Sequence, residues 1–286
     1  MKQWRSDYPV KLLCRVLIVS RCGFYAWLKR PPCRRALENE RLRVEIRAAH
    51  ARTRRTYSAK RLRDGLAADG IVAGRDRIAR LRREEGIRCI QKRKFKATTN
   101  SNHKLPVADN LLNQEFKPTE PNQVWVSDIT YIQTDEGWLY LAGIKDVFTC
   151  EIVGYAMSAR MTQELVSQAL WTAVKWKRPP AGMILHSDRG SQYCSHDYRK
   201  LLEQFKLRAS MSRRGNCYDN APMESFWGSL KNERVHHHRY ETRLEAEASI
   251  REYIEIFYNR QRRHSRLGNV APAVFAQNFS KQAACI

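Results

Sequence analysis

The 286-residue sequence lacks any run of apolar residues approaching the 18 or more that a membrane-crossing helix needs. Behind Met1-Lys2-Gln3-Trp4 there is no apolar signal core either, so a cytoplasmic chain without a membrane partner is expected. Closely spaced cysteines are also missing. The eight cysteines stand at 14, 22, 33, 89, 150, 194, 217 and 285, with no two inside a four-residue window. That spacing argues against an ordinary zinc knuckle and leaves reduced thiols as the expectation. Acidic residues are scarce at the front: residues 1–105 hold 9 of them against 29 Lys plus Arg, and the remaining 181 hold 20 against 23. Most of the net charge of +23 therefore sits in the first third. A polyanion is the natural partner of such a segment, because each neutralised phosphate releases a counterion. A merely soluble basic surface is the bland alternative. With 43% hydrophobic residues, the chain is long enough for two packed domains.

Helix formers dominate the first third. Pro9 to Trp27 mixes apolar and basic residues without alternation, and Glu38 to His50 reads as a helix. Leu62 and Leu66 lie four apart, Asp69-Gly70 turns the chain, and Ile78 and Leu81 then share one face. Arg75, Arg77, Arg80, Arg82 and Arg83 surround the rest. Two short helices about a glycine turn predict a helix-turn-helix near 57–85, with a plain helical hairpin as the alternative. Residues 106–119, with Pro106 and Pro118, are expected to link this all-α region (1–105) to a second domain at 120–280. There the residues turn β-branched and aromatic. Val124–Ile132, Trp138–Ile144 and Ile152–Met157 predict three meandering strands. A helix capped by Thr162 follows, burying Val166, Ala169, Leu170 and Ala173, and then a short strand at Met183–Leu185. The pattern predicts an α/β mixed sheet flanked by helices, with Trp138 and Trp171 in its core.

Three carboxylates stand out. Asp128 falls in a strand, on the same side as Val124, Val126 and Ile132, where an acid costs free energy unless it is paired or binds metal. An edge-strand Asp facing solvent is the alternative. Asp188 ends a short apolar strand, where sites gather in layered α/β sheets, although Asp before Arg189-Gly190 also suits a turn. Glu224 opens a helix that Asn220 can cap and Pro222 can start, a place the helix dipole favours for any acid. On that helix Met223, Phe226, Trp227 and Leu230 form the apolar face, while Glu224, Gly228 and Lys231 form a second line. Three hard oxygen donors from separate elements suit Mg²⁺ or Mn²⁺, and two such ions roughly 3.5–4 Å apart can clamp both oxygens of a phosphodiester undergoing displacement. Arg213 and Arg214 occupy a basic loop leading to Glu224 and are candidate DNA contacts. So are Arg260, Arg262, Arg263 and Arg266 near the end of the chain. His236-His237-His238 reads as a solvated surface or phosphate contact.

Between Asp128 and Asp188 lie 59 residues, and between Asp188 and Glu224 lie 35, with a basic residue seven after the Glu. This resembles the acid triad of retroviral integrases and related transposases. The segments Trp125–Tyr131, His186–Tyr193, Gly215–Phe226 and a closing Tyr258-Asn259, Arg262, His264-Ser265, Leu267-Gly268 and Pro272 resemble the downstream-frame (OrfB) product of two-frame bacterial insertion sequences, the insertion-sequence-three family. The resemblance covers most of 120–280, and the region from Tyr57 to Arg83 resembles that family's accessory helix-turn-helix. It implies a ribonuclease-H-like catalytic core with Asp128, Asp188 and Glu224 as Mg²⁺ ligands and Lys231 beside the DNA end. It also implies strand cleavage and transfer at insertion-sequence ends, with further copies of the chain and the upstream-frame product as partners. Cys150-Glu151 departs from the family pattern, where basic residues are common. A non-catalytic DNA-binding regulator and a nuclease of the same fold remain the alternatives at this stage.

Overall fold

Apolar residues spaced three and four apart build the front of the molecule. In the computed structural model, residues 1–90, 106–213 and 216–284 are described. Helices α1 (Val10–Val16) and α2 (Arg21–Lys29) come first, and Ser20 caps α2 by accepting from the Gly23 N–H. A three-helix unit follows: α3 (Arg34–Arg52), α4 (Ala59–Ala68) and α5 (Arg75–Glu84). Leu42, Ile46, Leu62, Leu66, Ile78 and Leu81 bury one face of each against Tyr57. The turn at Asp69-Gly70 is present, with Gly70 at φ +81°. Part of the basic surplus is consumed internally, since Arg43 donates to Glu84 and Glu85 and Arg77 donates to Asn39.

β-Branched and aromatic runs, buried on both faces, build the second unit. Its strands are β1 (Val124–Thr134), β2 (Gly137–Asp146), β3 (Ile152–Ser158), β4 (Ile184–Ser187) and β5 (Arg208–Met211), in sheet order β3-β2-β1-β4-β5. The first three pair antiparallel, and β4 and β5 join parallel to β1. On one face Trp125, Ile144 and Leu185 pack with α6 (Gln163–Lys177), α7 (Ser191–Cys194) and α8 (His196–Gln204). On the other, Val124, Val126 and Ile132 pack with α9 (Ala221–Glu233), α10 (Arg243–Glu252) and the π-helical turn Tyr253–Tyr258. Helix α11 (Pro272–Ala284) ends the described chain. The fold is the expected one: a mixed sheet covered by helices on both faces, behind an all-α unit.

Several local expectations need correction. Trp138 and Trp171 are 46% and 55% exposed. Trp138 sits at the open start of β2 with its ring edge-on to Tyr131, and Trp171 lies on the outer side of α6 against Phe205. The stretch 106–119 is no free tether, because Leu112 is buried in the core and Asn110 and Gln114 both donate to Asp219. Asn220 precedes α9 but does not cap it; its amide donates to the Ser127 carbonyl and ties the helix start to β1.

The helical unit also rests on the end of the second unit. The Tyr57 hydroxyl accepts from the Arg263 N–H at 2.7 Å, and Asn269 donates to Asp64 at 2.8 Å. Arg54 pairs with Glu252 and lies 4.5 Å from the Phe257 ring centroid. Opposite it, Arg262 is 5% exposed and holds Glu233 with two 2.8 Å bonds. His264 accepts close contact with Arg262 at 3.2 Å, and burial, then the charges of Arg262, Lys145 and Arg61, push its pKa down to about 3. It is thus a neutral imidazole, and below about pH 6.5 it gains a proton on unfolding. Its stabilising neutrality is complete above the unfolded value near 6.5 and is eroded as pH falls from there toward 3. Acidification from pH 7 to pH 5 should cost on the order of 1–2 kcal/mol through this group. Urea unfolding at the two pH values checks this; an equally steep loss in His264→Gln would remove His264 as the source.

Candidate active site

The register of β1 and β4 aligns Val126 with His186, so two residues further on each strand Asp128 and Asp188 stand level, just past the end of the short strand. Both are half-buried. Asp128 is held by the Ile129 N–H at 2.9 Å and by the Trp227 indole N–H at 3.0 Å. Asp188 accepts from the Gly190 N–H at 3.0 Å. Burial, then the charge of Asp188, raises the pKa of Asp128 to about 7. Two half-buried carboxylates that repel each other invite a cation.

Trp227 reaches Asp128 because β2 offers no side chain at the crossing point. Gly143 is the β2 partner of Asp128, and a Cβ there would come within 2.9 Å of both Trp227 and Met223. The sheet surface is therefore flat where α9 lies on it. Met223, Phe226, Trp227 and Leu230 are all buried, as the apolar face of that helix required. Glu224 sits exposed in the first turn, and its charge acts on Asp128 more weakly than that of Asp188. Among the described residues, no three Asp, Glu, His or Cys side chains are gathered tightly enough to cage a metal. The structure thus brings Asp128 and Asp188 together and leaves Glu224 at the rim.

The donor set still suits a hard divalent cation. It consists of carboxylate oxygens only, and the N–H donors on Asp128 leave it free lone pairs. Lys231 lies with its Nζ 5.0 Å from the Tyr131 ring centroid; burial lowers its pKa, and the charge of Asp128 opposes that.

The basic candidates divide. Arg75 and Arg80 are exposed on α5, and Arg77 is half-buried. Arg82 is buried and donates to the Cys89 thiol, so it cannot serve as a DNA contact without unfolding its surroundings. Arg262 is likewise withdrawn, since its guanidinium is spent on Glu233 and Ser229 inside the protein. Arg213 remains half-exposed, but it clamps Asp219 through Nε and Nη2. Arg214 lies outside the described residues. Sequence reasoning missed Trp227 and Asp219. The first read as core, although a buried indole N–H needs a partner. The second is a fully buried carboxylate whose bond to Arg213 holds its pKa well below the usual range, and it pins the loop before α9. His186 was missed too; it is fully buried, bonded to Ser210 and Ser212, and braces β4 just before Asp188.

Residues 118–217 and 206–272 both match the integrase core domain, and residues 37–95 match an HTH-like domain. With its five-stranded mixed sheet and paired aspartates, the second unit is an integrase-core domain. The insertion element IS600 uncharacterized 31 kDa protein of Shigella sonnei is 64% identical over 272 residues, 95% of this chain and all of that protein. Transposase InsF for insertion sequence IS3A of Escherichia coli (strain K12) is 41% identical over 277 residues, 96% of each chain. A simian T-cell lymphotropic virus intasome in complex with PP2A regulatory subunit B56 gamma has a chain that aligns with 14% identity and a TM-score of 0.48, over 75% of this chain and 70% of that one. The chain belongs to the IS3 family of insertion-sequence transposases.

Proposed function

We propose that the chain cleaves DNA at the ends of its own insertion sequence and joins the freed 3′-hydroxyl to target DNA. Mg²⁺ or Mn²⁺, two ions, would be held by Asp128, Asp188 and Glu224. The observation that carries this reading is the juxtaposition of Asp128 and Asp188 at the ends of adjoining parallel strands, with Glu224 opening the helix that packs beside them. When bound, such cations neutralise charge at the scissile phosphate. The protein's own part is positioning. Ile129 and Trp227 hold the Asp128 carboxylate, Gly190 holds that of Asp188, and Lys231 steadies the DNA end. Water or a DNA 3′-hydroxyl is the nucleophile, so no protein nucleophile is required. Arg75, Arg77 and Arg80 on α5 offer phosphate contacts for the duplex, with Arg213 and Arg214 closer to the site. We place the reaction in the cytoplasm, in an assembly of several copies with the upstream-frame product. The units at work are 1–105 and 120–280.

A duplex carrying the terminal repeat of the element's own DNA, incubated with the chain and Mg²⁺, should be nicked at the repeat's 3′ end. Failure to nick, both alone and with the upstream-frame product, would sink the reading. Within that assay Lys231→Ala should lower cleavage while leaving the Mg²⁺ concentration for half-maximal activity unchanged, because Lys231 positions DNA rather than metal. Lys231→Arg should recover part of the loss, since the charge survives with altered geometry. A silent Lys231→Ala, or a large shift in Mg²⁺ requirement, would assign this lysine another role.

A further inference from the structure

Between the helical unit and α9 lies a cavity of about 660 Å³ with a lining unlike that of the carboxylate pair. Four cations, Arg61, Lys145, Arg262 and Arg266, border it against only two carboxylates, Glu224 and Glu233. Glu233 is consumed by Arg262. Arg61 lies 5.7 Å from the Tyr57 ring centroid; among the described residues no carboxylate bonds to it directly, and the charge of Glu233, which Arg262 already holds, reaches it only at longer range. Lys145 is only 4% exposed, yet its Nζ has for a partner the Pro222 carbonyl at 3.0 Å. A buried cation without a carboxylate partner is costly, so Lys145, with half-buried Arg61 on the same cavity, favours an anion there.

Gly228 supplies a second, independent sign. It sits in the middle of α9, where glycine is a poorer helix former than alanine. At Gly143 a Cβ would strike Trp227 and Met223, whereas Gly65 in α4 has open space around it. At Gly228 a Cβ would meet nothing within 4 Å, and the position opens on this cavity. Internal packing therefore does not require glycine there, and the position leaves room on the cavity side for a close approach from outside the chain.

We propose that this cleft receives the sugar–phosphate backbone of a DNA strand, with a phosphate at Arg61, drawn also by the buried charge of Lys145, and the strand lying against Gly228, one helical turn from Glu224. The proposal rests on the chain being a DNA strand-cleaving enzyme and adds a role to its helical unit. Arg61 lies in α4, not in the basic helix α5, so the unit grips DNA beside the carboxylates as well as along α5. The two units hold one strand jointly, and their mutual docking through Tyr57, Arg54 and Asp64 sets the spacing of the grip.

The test uses the full chain and a mixed-sequence duplex without divalent metal, with affinity measured by fluorescence anisotropy over a series of KCl concentrations. Arg61→Gln should reduce the slope of log affinity against log salt by about 0.9, the value for one lost phosphate contact, and Arg61→Lys should keep the wild-type slope. Gly228→Ala should unfold at a higher temperature than wild type and yet bind DNA about fivefold more weakly, because the added methyl group blocks the strand. Wild-type affinity and slope in both Arg61→Gln and Gly228→Ala would overturn the cleft while leaving the cleavage assay untouched. A wild-type chain that holds no duplex even at low salt would overturn both the cleft and the functional reading. Inorganic phosphate alone raising the melting temperature through Arg61, with no slope change for DNA, would make this a free-anion site and overturn the strand assignment.

Discussion

Asp128→Asn, Asp188→Asn and Glu224→Gln should each lower Mg²⁺-dependent end cleavage by at least about a thousandfold, since several kcal/mol of charge neutralisation at the transition state is lost with any one of them. Affinity for duplex DNA should stay within about tenfold of wild type, because phosphate contacts come mainly from basic side chains. Asp128→Asn has a further consequence. Burial and Asp188 raise the pKa of Asp128 to about 7, so above that pH the metal-free protein carries an unfavourable charge pair. The associated loss of stability grows as pH rises from the unfolded carboxylate value through 7 and is absent below it. Mg²⁺ should therefore raise the melting temperature of wild type at pH 8 and do so far less for Asp128→Asn. One of the three variants cutting DNA at near wild-type rate would take that residue out of the site.

Arg262→Ala should destabilise the fold by about 3–5 kcal/mol, as expected when one partner of a buried, hydrogen-bonded ion pair is removed. Glu233 would be left buried beside Tyr253, which donates to it at 2.8 Å, with its two guanidinium bonds gone. The variant should show the loss in urea unfolding without DNA present. A stable Arg262→Ala protein that merely binds DNA more weakly would return Arg262 to the surface role that its basic neighbours suggest.

The parts of this protein legible in the sequence are those governed by local periodicity. Alternation in β1 puts Asp128 on the side of Val124 and Val126, and the run Met183-Ile184-Leu185 leads into a strand whose end carries Asp188. The helical stripe of Met223, Phe226, Trp227 and Leu230 fixes which way Glu224 faces. What stayed hidden depends on contacts between residues far apart in the chain. The Trp227 indole meets Asp128 across 99 positions, and no spacing rule distinguishes that tryptophan from one that only fills space. Arg262 sits among exposed arginines in sequence, but its turn directs it inward to Glu233, 29 positions away. Trp138 and Trp171 err in the opposite direction. Their hydrophobicity suggested burial, but each is covered on one side only, Trp138 by Tyr131 and Trp171 by Phe205, and the other side faces solvent.

If oxygen-bound divalent cations at Asp128, Asp188 and Glu224 act on the scissile phosphodiester, the metal must discriminate between oxygen and sulfur at the bond that is cut. A terminal-repeat duplex whose bridging 3′-oxygen at the cleavage position is replaced by sulfur measures this. Sulfur is a soft ligand that Mg²⁺ binds poorly and Mn²⁺ tolerates better. Wild-type chain should cut the all-oxygen duplex in either metal, and should cut the sulfur duplex well in Mn²⁺ and scarcely in Mg²⁺. Equal cutting of the sulfur duplex in both metals, or cutting that persists in EDTA, would contradict that action of the cations.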